Sequence, residues 1–516
     1  MADLYKRPKP VLLVVMDGVG VAPPGPGNAV TLANTPSLDR LWPKYPHTYL
    51  HAAGLNVGLP HGVDGNSEVG HMNLGAGKVI FQELPRIDNA INSGTFLQNE
   101  HLLEAFKRSH DNSVHIMGLV GSGQVHSSFG HLVALLDMAK ESKANGDNVF
   151  MHVFTDGRDS KPQGAKKLLE RLDAEMKRTN VGKLASLIGR YFAMDRDERW
   201  DRTRQAYDLI TQGNGKMVKN WKEALDDSYR QDKYDEYLMP YVIAKGGEPM
   251  TKVQDGDAVI FFNYRPDRAV QLTRAFEDKN FPGWERAVVP NLYFVGMSDY
   301  EKGFPEKQAF PPERITTPVG RVLSDHGLRQ LRISESEKFP HVTYFINGGN
   351  QVQYAGEDRI EVPSPKDVAT YDQKPEMSTP IVVDLIKKRI EQGIYDVIMT
   401  NFANPDMVAH TGVLDATVKA MEVADKFIGE LHDFIIPRGG AMMITADHGN
   451  AEELIDLQTG SVDTKHSTNP VPLVVMKEGL QPRELSFGIL ADVSPTLLGL
   501  MGIQKPVEMT GRNLLV

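Results

Sequence analysis

The sequence predicts an α/β chain of more than one domain, on three observations. Short apolar runs recur at both ends of the chain and in its middle. Stretches with apolar residues at helical spacing lie between them. Several runs stop at Asp, His or Arg beside glycine, the pattern of parallel strands whose carboxyl ends carry a site. A length of 516 residues suits two to four domains.

The elements follow in order. KPVLLVVMDGVG (9–20) holds an unbroken apolar run ending at Asp17, which predicts a strand covered on both faces. GVDGNSEVGHMNLGAG (62–77) reads as a loop entering a helix, with Ser67 near its start. In the middle, VHIMGLV (114–120), NVFMHVFTDGRD (148–159), KLASLIGRY (183–191), AVIFFNYRPDR (258–268) and NLYFVGM (291–297) read as strands. Helical patterns at 131–142, at 164–179 and after Trp200 alternate with them, enough for a second α/β domain. The Pro-rich AFPPERITTPVG (309–320) is a connector. Two helical patterns (378–393 and 414–435) and three strand-like runs (395–403, 440–449 and 471–476) complete the chain.

Composition narrows the function. There are 57 Lys+Arg against 67 Asp+Glu, a net charge of −10, so no nucleic-acid partner is expected and an anionic substrate needs a local basic cluster. The absence of cysteine excludes disulfides, thiolate zinc sites, iron–sulfur clusters and a Cys nucleophile. The run after Lys6, Arg7 and Lys9 is too short for a signal peptide, and no apolar stretch is long enough to span a membrane. A cytoplasmic location is the expectation.

Three constellations carry chemistry. Asp17, Asp447 and His448 follow strands, and Asp406 and His410 sit at i, i+4 in NPDMVAH, on one face of a helix. Each alone reads as a cap or a solvated pair. Together, with His466 in TKHSTNP, they read as oxygen and imidazole ligands for Mn²⁺, Mg²⁺, Zn²⁺ or Fe²⁺. Three Asp and three His are too many for one open catalytic ion, so two ions are expected. Ser67 is either a helix N-cap or a nucleophile needing activation. Arg158, Arg190, Arg196, Arg265 and Arg268, each after a middle strand, can form the required basic cluster, since the guanidinium fork suits phosphate and carboxylate. Asp159 is a salt-bridge partner or a general acid/base. His126, in GQVHSS, is a general acid or a phosphate donor.

MDGVG, GNSEVGH, VHS, DGRD, GRYFAMDRD, RPDR, EKFPHVTYFING, NPDMVAHTG, TADHGNAE and the late His466 together resemble the 2,3-bisphosphoglycerate-independent phosphoglycerate mutases of the alkaline phosphatase superfamily, in order from about residue 10 to 511. The resemblance implies an alkaline-phosphatase-like three-layer α/β sandwich of residues 1–80 and 312–516, with a second α/β domain (84–308) inserted for transferase and substrate-binding work, and hinges near 78–86 and 306–313. It implies two metal ions, usually Mn²⁺ with Mg²⁺, Co²⁺ or Zn²⁺ as alternatives, one on Asp406, His410 and His466, the other on Asp17, Ser67, Asp447 and His448. Ser67 would become phosphoserine and Lys338 would stabilise the transferring group. Substrate would be bound by His126, Arg158, Asp159, Arg190, Arg196, Arg265, Arg268 and Lys338, with Asp159 moving protons. The implied activity is isomerisation of 3-phosphoglycerate and 2-phosphoglycerate by a monomer, without bisphosphoglycerate. A metal-dependent phosphatase or phosphopentomutase is the sibling alternative. The chain departs from the family's S-D-G-G-V-H-S-H at Gly121–Ser128, which reads GSGQVHSS. That change leaves the metal set intact and bears on the hydrogen bonding around His126.

Overall fold

In the computed structural model, which describes residues 7–304, 307–456 and 459–516, the run Val11–Met16 is a strand whose residues are all buried. Lys6 and position 306, where the second expected hinge begins, lie outside the described residues. The chain divides into two units, Met1–Gln82 with Glu313–Val516, and Glu83–Pro312.

The first unit is built on an eight-stranded sheet. Val11–Met16 is parallel to Val397–Phe402 on one side and to Ala441–Thr445 on the other. Gln330–Glu335 and Glu357–Val362 extend the parallel side. Val471–Lys477 pairs antiparallel with Ala441–Thr445, and His47–His51 and Gly488–Ile489 complete the sheet. The four parallel central strands end side by side. Segments just beyond those ends carry Asp17, Asp406, Asp447 and Lys338, residues spread over more than 400 positions of sequence.

The second unit has nine strands among the described residues. Val114–Val120 lies at its centre, parallel to Val149–Thr155 and Ala258–Phe261. Its side chains divide by alternation: Val114, Ile116 and Val120 join one apolar cluster, Met117 and Leu119 another. Both faces are therefore covered, which is why the sequence shows an unbroken apolar run. Lys183–Gly189 continues the parallel set and Tyr241–Lys245 is antiparallel to it.

The α/β class is the one the sequence predicts. The strand expected over 148–159 covers only Val149–Thr155, because Asp156–Asp159 turn away as the loop that carries polar chemistry. Gln330–Glu335 escapes a reading by apolar runs because Arg332 and Glu335 interrupt it, although both are buried. Among the described residues no helix is long and apolar enough to cross a membrane.

Candidate active site

The helix Ser67–Ala76 begins beside the carboxyl ends of the central strands of the first unit. Its N-cap is Asn66, whose Oδ1 accepts from Val69 N at 3.0 Å, so the capping alternative for Ser67 falls away. Gly70 lets this helix lie against Asp447, since a Cβ there would meet Asp447 O at 2.6 Å. Gly18 adopts a φ of +70° and would carry its Cβ to 2.8 Å from Asp406, so the turn after Asp17 needs glycine for conformation and room alike.

Ser67 Oγ is nearly buried and faces three charged or chargeable groups. It donates to Asp17 Oδ1 at 3.2 Å, accepts from Lys338 Nζ at 2.8 Å and lies 2.9 Å from His448 Nε2. Lys338 Nζ also donates to Asp17 Oδ1 and Asp406 Oδ2, each at 2.7 Å. His448 Nε2 stands 3.4 Å from Asp17 Oδ1 and 3.7 Å from Asp447 Oδ2. Beside these, His410 Nε2 and His466 Nε2 are 3.4 and 3.6 Å from Asp406 Oδ1 and 3.1 Å from each other.

This donor set fits divalent cations. Atoms about 2.1 Å from one ion stand roughly 3.0–3.4 Å apart in octahedral or tetrahedral arrangements, close to the spacings here. The imidazole tautomers agree. Nδ1 of His410 meets Thr464 O at 2.9 Å, Nδ1 of His466 meets Gly65 O at 2.8 Å, and Nδ1 of His448 meets Gly449 O at 3.2 Å. A carbonyl oxygen only accepts, so each Nδ1 carries hydrogen, and in the neutral ring Nε2 is the nitrogen that offers a lone pair to an ion. Asp17, Asp447 and His448 form one compact ligand group; Asp406, His448 and His466 form another. Asp447 Oδ2 is buried and makes no well-aligned hydrogen bond, with the His71 and His448 imidazole nitrogens 3.1 and 3.7 Å away.

Without such an ion, protein cations balance the three buried aspartates. Burial pushes the His448 pKa down, but Asp447, Asp17 and Asp406 outweigh it and raise it to about 10. Burial likewise works against the Lys338 ammonium, and Asp17 and Asp406 hold its pKa above the usual lysine range. The hydrogen bond that His410 donates to the Asp406 carboxylate raises the His410 pKa. Burial would raise the pKa of Asp17, yet Lys338 and His448 keep it well below the usual carboxylate range.

Three further residues belong to this cluster. Asn401 Nδ2 donates to Asp17 Oδ2 at 2.5 Å and lies 3.1 Å from His71 Nε2. His71 Nδ1 sits 3.1 Å from Asp447 Oδ2. Asn450 Nδ2 donates to Asp406 Oδ1 at 2.8 Å. His71 and Asn450 lie inside the motifs GNSEVGH and TADHGNAE, which is the signal that could have found them.

The second unit gathers the other expected residues at its own strand ends. Arg190 is buried, and its Nη1 bridges Asp156 Oδ1 at 2.7 Å and Asp159 Oδ2 at 2.5 Å. Asp156 is also buried. Its Oδ1 accepts from the backbone of Arg158 and Asp159 at 3.2 and 3.1 Å, and its Oδ2 from Ser160 Oγ at 2.6 Å. It therefore shapes the turn that presents both neighbours. Arg196 and Arg265 each pair with Asp267 at 3.0 Å. Arg158 lies 3.6 Å from Glu236, and Arg268 donates to Met194 O at 3.0 Å. Burial, then Arg190, Arg196 and Arg158, push the Arg268 pKa down, so the cations do converge.

His126 is buried 3.9 Å from Asp159 and 3.5 Å from Asp267. Burial, with Arg190 beside it, lowers its pKa to about 4, so it is neutral at neutral pH. The altered loop has definite consequences. Gln124, where the family pattern has glycine, holds a φ of +50°. Ser128, where it has histidine, caps the helix Phe129–Glu141 through Gly130 N at 3.2 Å.

Comparison with known proteins shows the family. Residues 87–302 match the family model described as the BPG-independent PGAM N-terminus (iPGM_N). A 2,3-bisphosphoglycerate-independent phosphoglycerate mutase of Clostridium beijerinckii is 47% identical over 511 residues, covering 98% of this chain and 99% of that protein. One from Acetivibrio thermocellus is 46% identical over 515 residues, covering 99% and 100%. Among solved structures, Leishmania mexicana phosphoglycerate mutase at low cobalt concentration is 32% identical with a TM-score of 0.53, covering 98% of this chain and 97% of that one. Near-half identity along the whole length settles kinship, and the chain belongs to the 2,3-bisphosphoglycerate-independent phosphoglycerate mutases.

Proposed function

We propose that the chain interconverts 3-phosphoglycerate and 2-phosphoglycerate through a phosphoserine at Ser67, with no bisphosphoglycerate cofactor. The observation that carries this reading is the surroundings of Ser67 Oγ: a buried hydroxyl at a helix start, within 3.2 Å of Asp17, His448 and Lys338. Two divalent cations, Mn²⁺ by assignment, would be held by Asp406, His410 and His466 and by Asp17, Ser67, Asp447 and His448, and would supply Lewis-acid charge neutralisation and a more acidic serine hydroxyl. Helix N-terminal amides favour an anion at Ser67. Ser67 Oγ bonds to phosphorus as the P–O bond to glycerate breaks, and the proton that Ser67 gives up ends on the leaving glycerate oxygen. The other glycerate hydroxyl then gives its proton to Asp159 and attacks the phosphoserine; the Oγ–P bond breaks, and the proton is returned to restore the Ser67 hydroxyl.

Lys338, a fixed ammonium 2.8 Å from Ser67 Oγ, stabilises charge on the transferring phosphoryl oxygens. Arg158, Arg190, Arg196, Arg265 and Arg268 bind the carboxylate and phosphate of the substrate and hold glycerate while it reorients. Neutral His126 exchanges hydrogen bonds with the glycerate hydroxyls. The reading includes a monomer working in the cytoplasm.

An enolase-coupled assay tests it. Metal-stripped protein receives 3-phosphoglycerate and Mn²⁺ without bisphosphoglycerate, beside Ser67→Ala. Activity restored by Mn²⁺ and abolished by the substitution supports the reading. Activity that survives in Ser67→Ala, or free phosphate as the main product, overturns it in favour of a phosphatase.

A further inference from the structure

We infer that Glu452 is a positioning residue that fastens together three of the loops bearing metal-ligand candidates, those of Asp17, of Asp447 with His448, and of His466, and so sets how tightly the chain holds its divalent ions. The inference rests on the metal reading above. Glu452 is buried, with 3% of its surface exposed. Its Oε2 accepts from Gly20 N and Asn450 N, both at 2.9 Å. Its Oε1 accepts from Asn469 Nδ2 at 3.0 Å and from Ser467 Oγ. All four donors are neutral, and each belongs to a loop that carries ligands. Gly20 follows Asp17, Asn450 follows Asp447 and His448, and Ser467 follows His466 directly.

Two glycines give an independent sign that the carboxylate is built into the site. A Cβ at Gly20 or at Gly449 would collide with the Glu452 carboxylate. Neither glycine has a positive φ, so room is what these positions require. The network continues to the ligands. Asn450, held by its backbone, donates from Nδ2 to Asp406 Oδ1 at 2.8 Å, and Ser467 N donates to Gly449 O at 3.0 Å. The His448 and His466 rings stack with centroids 3.9 Å apart. One side chain thus links residues 20, 450, 467 and 469 in an arrangement that no single loop could keep alone. Groups that orient metal ligands from behind typically change affinity by about 10- to 100-fold when removed.

The test is Mn²⁺ binding to the metal-stripped full chain, read from free Mn²⁺ by electron paramagnetic resonance, for wild type, Glu452→Gln, Ser467→Ala and Glu170→Gln. Gln keeps the size and one acceptor oxygen of Glu452. It is expected to weaken binding at both sites by about tenfold or more while the metal-free melting temperature stays near wild type. Ser467→Ala keeps both backbone bonds to Glu452 and should weaken chiefly the ion on Asp406, His410 and His466. Glu170→Gln removes one negative charge from an exposed helix position in the other unit and should leave binding unchanged. Glu452→Gln that binds as wild type does overturns the inference. So does a loss of affinity that comes with a collapse of the metal-free melting temperature, which would mark Glu452 as merely structural. Wild type that takes up no Mn²⁺ would sink the metal reading itself, and this inference with it.

Discussion

Metal uptake by this chain should be strongly pH-linked, and the geometry gives the slope. In the metal-free protein the aspartates around His448 raise its pKa to about 10, so the imidazole is a cation at neutral pH. A metal ligand must be the neutral imidazole. Binding at any pH below about 10 therefore releases one proton from His448, and the logarithm of the affinity rises by one for each pH unit. His410, raised by its bond to Asp406, links the other ion to pH in the same direction. From pH 6 to pH 8 one proton amounts to about 100-fold in affinity, or ~2.7 kcal/mol. Stability without metal runs the opposite way. A raised histidine contributes fully below its unfolded value of about 6.5, and the contribution is lost as pH climbs toward 10. The assay is free Mn²⁺ by electron paramagnetic resonance at pH 6, 7 and 8, with proton release followed by an indicator dye in weak buffer. An affinity flat across this range, or binding without proton release, would refute the reasoning.

Other outcomes follow from single contacts. Lys338→Met leaves Asp17 and Asp406 without their buried ammonium. It should destabilise the metal-free protein by ~3–5 kcal/mol, and calorimetry should show a larger Mn²⁺-induced rise in melting temperature than in wild type. Asp156→Asn keeps the oxygen that the turn amides bond but removes a charge from Arg190. The enolase-coupled kcat/KM should fall by roughly 10- to 100-fold, the ~1.5–3 kcal/mol of one hydrogen bond to a charged group. Gln124→Gly relieves a left-handed residue and should stabilise the chain by roughly 0.5–1 kcal/mol in urea unfolding, where no gain or a loss would contradict the strain.

Much of this was legible because apolar runs and strand-end residues are local signals. Val11–Met16 and Val114–Val120 announce strands covered on both faces, and Asp17, Asp447 and His448 stand where such strands stop. Gln330–Glu335 was hidden because its burial of Arg332 and Glu335 contradicts the pattern that makes a strand readable. Asn66 took the capping role that Ser67 could have filled, a choice between neighbours that composition does not decide. Asn401 was out of reach for another reason, since its partners Asp17 and His71 lie more than 300 positions away. Glu452 closes the motif TADHGNAE, yet its bond to Gly20, 432 positions away, exists only once the sheet has brought the loops together. Asp156 stood nearer to detection, since Asp-Gly with polar groups two and four residues on is the local pattern of a side chain closing its own turn.

The central strand of the first unit also sets a timetable for synthesis. Val11–Met16 emerges first, yet its partners are Val397–Phe402 and Ala441–Thr445. Translation at about 5–20 residues per second separates them by roughly 20–80 s. The Glu83–Pro312 unit is complete well within that interval and can fold while the first strand waits. Until its partners arrive, VLLVVM is an uncharged, β-prone edge of the kind that pairs with other chains. The folding hazard of this enzyme is therefore concentrated in its first strand, and the same strand, once enclosed, delivers Asp17 to the centre of the site.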